Sequence, residues 1–146
     1  MDYAKPMALW VRDPHSGGVK ILDTLKRETE RRIRAHAEKY YAGTFTRLEV
    51  RFRGALCYID ASQEPGPDSR PLPRSGESLE EYRERQRTFP HHLCRLCYCG
   101  REEWSVAFYT YSHMKYEPSV FGNGTFFGTP EEGFDVGAVY LQPQAQ

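Results

Sequence analysis

The spacing of apolar side chains changes period along the chain, and each change marks an element. Over residues 20–41 they recur at Ile21, Leu22, Leu25, Ile33, Ala37 and Tyr40, which predicts one long helix with a single apolar face, ended by Gly43 as its cap. Arg27, Arg31 and Arg34 form a stripe on the opposite face, with Glu30 and Glu38 beside it, and read as solvated charge. From Thr46 to Ala61 the period drops to two. A turn at Arg53-Gly54 would pair Phe52 with Ala55, Val50 with Cys57 and Leu48 with Ile59 on a core face. Arg51/Leu56, Glu49/Tyr58 and Arg47/Asp60 would then pair on the outer face.

Residues 62–77 hold four of the ten prolines and almost no large apolar side chain, the composition of an exposed loop. Ser78-Leu79-Glu80-Glu81 resembles a capping box that opens a short helix to about Arg87, and Pro90 prevents its continuation. Strands are expected at about 92–99 and 104–111, joined around Gly100-Arg101-Glu102-Glu103, with apolar residues on both faces. Asn123-Gly124 suits a type I′ hairpin turn between Val120-Phe121 and Phe126-Phe127. Thr129-Pro130-Glu131-Glu132 has the cap, the proline and the glutamate of a helix start, although 136–141 also suits a last strand.

The order implies an α+β fold: an antiparallel sheet of β-hairpins, the long N-terminal helix packed on one face, and short helices near 79–87 and 130–139. A single domain over 19–141 is expected, between a leader at 1–18 and a tail at 142–146. At 146 residues the chain can bury a core without metal or disulfide support. Neither a signal peptide nor an apolar run of about 18 residues is present, so the expected location is cytoplasmic, with no membrane partner. There Cys57, Cys94, Cys97 and Cys99 would be reduced thiols. Net charge is zero, but residues 1–60 carry twelve Lys/Arg against eight Asp/Glu, and the remainder carries the reverse. Such a split fits a nucleic-acid face, or two halves of one domain attracting each other.

The stretches Arg51–Ala61 (RFRGALCYIDA), His92-Leu93-Cys94-Arg95-Leu96, Ala107-Phe108-Tyr109-Thr110-Tyr111-Ser112 and Phe127-Gly128-Thr129-Pro130-Glu131-Glu132 resemble the blocks of a family of small uncharacterised bacterial proteins. The resemblance spans about residues 19 to 141. It implies a bacterial, cytosolic protein and brings no activity with it.

The run from His91 to Cys99 carries thiol and imidazole groups, which zinc selects. On a strand, however, Cys94 faces away from Cys97 and Cys99, and no second CxxC or HxxxH completes a site. Neither metal nor cofactor is therefore expected, and zinc binding by this segment stays an alternative. His36, between Ile33 and Tyr40, reads as a neutral core histidine bonded to a carbonyl or a tyrosine. A small enzyme pairing Cys57 or Cys94 with His91, His92 or His113 is a further alternative, but phosphate-loop, HExxH and GxSxG signatures are absent.

Arg47, Arg51 and Tyr58 on the outer hairpin face, with Tyr109, Tyr111, Lys115 and Tyr116, make the aromatic and basic set of a macromolecule-binding sheet. A competing reading has the tyrosines packing a layer while the arginines pair with Glu49 and Asp60. The expected function is a non-enzymatic module that binds a protein or a single-stranded nucleic acid through this face. The Pro-rich Arg70-Pro71-Leu72-Pro73-Arg74 adds a motive for a protein partner. Oligomeric state has no signature in the chain.

Overall fold

A computed structural model describes residues 17–64 and 76–141. Its element order is α1 (Asp23–Tyr41), β1 (Arg47–Arg53), β2 (Leu56–Ser62), α2 (Leu79–Thr88), β3 (His91–Gly100), β4 (Glu103–Thr110), β5 (Lys115–Ser119), α3 (Pro130–Gly137) and a 3-10 turn (Ala138–Tyr140). The strands form one antiparallel sheet in the order β1-β2-β3-β4-β5, and the helices α1 and α3 pack on one face of it. This is the α+β layering expected from the sequence. Residues 1–16, most of the loop expected over 62–77, and the tail 142–146 lie outside the described residues. Ser62 itself closes β2, and the chain at Gly17–Ile21 is tied to the sheet: the Val19 N–H donates to the Tyr98 carbonyl at 2.8 Å. Among the described residues no helix is long and apolar enough to cross a membrane.

The core face carries Leu48, Val50, Phe52, Cys57, Ile59, Ala61, Cys94, Leu96, Tyr98, Trp104, Val106 and Phe108. For the β3–β4 hairpin, whose two faces the sequence left undistinguished, the helices cover the side bearing Leu96 and Trp104. Ile33, Ala37 and Phe134 fill the layer from above, with Ile21 at its end.

The faces of the first hairpin are as expected, but its partners are displaced by two residues. Gly54 has φ +61° and must be the first residue of a two-residue II′-type loop, so Arg53 pairs with Leu56, Arg51 with Tyr58 and Glu49 with Asp60. Shifting the loop by one residue moves each partner by two, which preserves the side each residue faces. On α1, Tyr41 rather than Tyr40 joins the core, and Leu22 and Tyr40 are exposed. For Leu22 the cause is the late helix start: it is extended (φ −80°, ψ 162°), so Ile21 and Leu22 alternate as strand residues do.

Asn123-Gly124 does make a tight turn, with Gly124 at φ +83° and the Phe121 N–H donating to the Thr125 carbonyl at 2.9 Å. Its flanks are not strands. Gly128 instead exchanges two backbone hydrogen bonds with Trp104, and the last strand is β5, which turns back on β4 through Tyr111–Met114. Both expected capping boxes are formed, at Ser78/Glu81 and Thr129/Glu132, and 136–140 is helical rather than a strand.

The helix α3 sits unusually close to β3. A Cβ on Gly133 would lie 2.4 Å from Leu96 Cδ2, and one on Gly137 would lie 2.8 Å from the Leu93 backbone carbonyl. Alanine raises helix propensity by about 1 kcal/mol, less at a helix end, whereas overpacking a filled core costs about 1–3 kcal/mol. Because the obstacle at Gly137 is backbone, Gly137→Ala is expected to lower stability by about 1–2 kcal/mol in urea denaturation. An unchanged or higher midpoint would show that the gap opens freely.

Candidate functional site

On the sheet face opposite the helices, Asp60 is the central charge. Its side chain is 3% exposed, and both oxygens are engaged: Oδ2 accepts from Arg51 Nη2 at 2.9 Å and Oδ1 meets His92 Nδ1 at 3.0 Å. The register explains the first contact, since Arg51 lies diagonally across from Asp60 when Glu49 is its direct partner. A β-bulge explains the second. Ile59 pairs with Cys94 but Asp60 pairs with His92, so Leu93 is an extra residue in β3. The bulge turns His92 away from the side that Cys94 occupies and onto the side of Asp60. A carboxylate only accepts here, so Nδ1 is assigned the proton and Nε2 remains available to a ligand.

Aromatic rings extend from this centre as a chain of contacts. Tyr58 meets Tyr116 at 5.7 Å, Tyr116 meets Tyr109 at 5.0 Å, Tyr109 meets His92 and Tyr111 at 4.7 Å each, and Tyr111 meets Tyr140 at 5.3 Å. Tyr58 and Tyr116 stand on strands separated by β3 and β4, a span of about 14 Å between backbones. They touch because the intervening β4 residue is the small, buried Ala107. The guanidinium of Arg51 lies 5.1 Å from the Tyr58 ring centre, and that of Arg95 lies 5.0 Å from the Tyr116 ring centre. The Tyr111 hydroxyl is fixed by both backbone groups of His92, accepting from its N–H at 2.7 Å and donating to its carbonyl at 3.2 Å. Tyr140 donates to the Tyr109 carbonyl.

The ring chain ends in an open groove of ≈ 690 Å³ between the end of α2 and the β4–β5 turn, walled by Phe89, Pro90, His92, Tyr111, Met114 and Tyr140. Phe89 is 63% exposed and Met114 68%. Burial holds the Tyr111 phenol up at about 12, so it stays protonated at neutral pH. Burial, then the nearby Asp60 charge, also raise Tyr116, whose buried hydroxyl has no hydrogen-bond partner among the described residues. Burial lowers His91, with His92 adding to the effect.

Of the residues expected to form the site, Arg51, Tyr58, Tyr109, Tyr111 and Tyr116 come together here. Arg47 stands four residues along β1, about 13 Å from Arg51, and its Nη2 pairs with Glu49 at 2.8 Å. Lys115 lies on the edge strand β5, 4.0 Å from Glu117. The ion pairing is thus that of the competing reading: Arg47 with Glu49, Arg51 with Asp60. Sequence reasoning did not place His92, Arg95 or Tyr140 in this site, and named His92 only as an alternative partner for a cysteine. For His92 no signal was available, because strict alternation puts it on the face of Cys94.

Elsewhere, His36 is bonded not to a carbonyl or a tyrosine but to a carboxylate: its Nε2 and the Tyr41 hydroxyl both meet Asp135 Oδ1 at 2.7 Å, linking α1 to α3. Cys94 lies in the core beneath α3, while Cys97 lies on the other face against Gly18. Among the described residues no group of three or more His, Cys, Asp or Glu is placed to hold a metal ion. No family model, curated protein or solved structure matches the chain.

Cys57 and Cys94 are fully buried, and burial raises both thiols far from the thiolate form that a nucleophile needs. Iodoacetamide at pH 8 is therefore expected to label neither in the native protein and both after unfolding, as read by mass spectrometry. Rapid native labelling at either position would restore a cysteine nucleophile to consideration.

Proposed function

We propose that this protein is a non-enzymatic module that binds a protein partner, through the groove at the end of the ring chain and the tyrosine face that leads into it. The observation that carries this reading is the combination of accessible rings with matched charges. Phe89, Tyr111 and Met114 offer apolar surface to a ligand. Three of the cations on this face and groove are matched by carboxylates: Arg51 with Asp60, Arg85 with Glu77 and Lys115 with Glu117.

A single-stranded nucleic acid would need cations to spare for its phosphates. A peptide needs rings, polar handles and little net charge; the exposed rings supply the first and the His92 imidazole a handle. A cytosolic, bacterial setting belongs to the same proposal and suits a protein whose buried cysteines serve as small apolar side chains.

The test is selection of a random peptide library on the immobilised full chain, followed by affinity measurement. Enrichment of short segments carrying an aromatic or a proline is expected, and Phe89→Ala with Met114→Ala should weaken the best of them about tenfold, roughly 1.4 kcal/mol. Both side chains are exposed, so folding should survive. No enrichment, together with tight and steeply salt-dependent capture of a single-stranded oligonucleotide, would move the assignment to nucleic acid.

A further inference from the structure

The two edges of the sheet are not equivalent. Strand β5 is short and carries Lys115 and Pro118, features that blunt an edge against pairing with another chain. Strand β1 has seven residues, no proline and no bulge against β2. Its two-residue turn makes Arg53 and Leu56 the closing hydrogen-bonded pair, so by alternation Arg53, Arg51, Glu49 and Arg47 bond to β2. The peptide groups of Leu48, Val50 and Phe52 then point outward from the sheet. The Leu48 carbonyl accepts from Arg34 Nη1 at 3.0 Å, as an outward group can. Among the described residues nothing outside the hairpin hydrogen-bonds the backbone of Val50 or Phe52.

We propose that β1 is a self-association edge, pairing antiparallel with β1 of a second copy about a two-fold axis at Val50. The side-chain sequence Arg47-Leu48-Glu49-Val50-Arg51-Phe52-Arg53 selects both partner and register. Centred on Val50, the pairing sets Val50 against Val50 and Leu48 against Phe52 on the core side. On the outer side it sets Glu49 against Arg51 twice, by symmetry, and leaves one unfavourable arginine pair, Arg47 against Arg53, at each end. Sliding by one pair in either direction puts Arg51 against Arg51, or Glu49 against Glu49, on the axis. Sliding also leaves Leu48 opposite Gly54, or Phe52 opposite Thr46, so only the centred register gives every core-side residue of β1 an apolar partner, and it is preferred. It also brings the outward residues into direct register, where each pair exchanges two backbone hydrogen bonds. The result is a continuous ten-stranded sheet, with both tyrosine faces on the same side. A seven-residue strand contact falls below the roughly 1,600 Å² of a standard interface, so the dimer should be concentration-dependent.

The experiment is native mass spectrometry of the full chain from about 1 μM to about 1 mM, paired with hydrogen exchange of the β1 amides. The expected result is a species of twice 17.0 kDa that grows with concentration, with Val50 and Phe52 amides becoming protected in parallel. Glu49→Lys replaces both favourable pairs by repulsion and should weaken dimerisation at least about tenfold. Glu103→Lys, the same charge change at an exposed position on β4, should leave it unchanged. Circular dichroism confirms that each variant is folded. A chain that stays monomeric throughout overturns the proposal. So does a dimer that Glu49→Lys leaves unmoved, or one in which Val50 and Phe52 still exchange freely.

Discussion

The carboxylate of Asp60 is the constraint around which the outer face is arranged. A charge this buried is tolerated only when its oxygens are matched. The match comes from two directions, each set by backbone geometry and not by side-chain reach alone. The II′ turn at Gly54 fixes the register that puts Arg51 diagonally opposite, and the bulge at Leu93 supplies His92. His92 and the neighbouring Tyr109 then begin the line of rings that runs across the sheet in one direction and into the groove in the other. Remove the carboxylate, and the guanidinium and the imidazole both lose the group that orients them.

How much of this was legible in the chain depends on which physical rule each feature obeys. Period-two alternation identified both faces of the first hairpin, because a face survives an even shift of partners. It could not identify the partners themselves. Those hang on whether Gly54 is the first or second residue of the loop, and glycine tolerates positive φ in either place. The capping boxes at Ser78 and Thr129 were readable because their hydrogen bonds are local. The strand β5 was missed: its Lys-Tyr-Glu-Pro-Ser sequence has weak strand character, and pairing with β4 overrides that preference. Asn123-Gly124 was read as a hairpin from a turn preference that is real, but Phe121 is buried and Phe126 is exposed in chain that does not pair.

The site shows the same division. Arg51 and Tyr58 could be grouped because alternation places both on the outer side of the first hairpin, whereas Tyr109, Tyr111 and Tyr116 joined them by composition, since neither the faces of the β3–β4 hairpin nor the strand β5 was legible. The histidine that binds the central carboxylate could not be grouped with them, since a single inserted residue inverts the side it faces. Arg47 was grouped with the rings by its place on the outer face of the first hairpin, and Lys115 by composition. Distance along the strands, and a nearer glutamate in each case, separate them.

The strand order has a kinetic consequence. All four strand pairings join neighbours in sequence, and three of the connections are short: two residues, two residues and four. The connection from β2 to β3 spans 28 residues, α2 included, so its closure carries the largest entropic cost in the sheet. Asp60 lies on one side of that seam and His92 on the other. A chain that has formed its local hairpins but not joined β2 to β3 would have nearly complete strand content and no site at all. The Asp60–His92 contact is in this sense a proofreading mark, present only on molecules whose longest closure has been made.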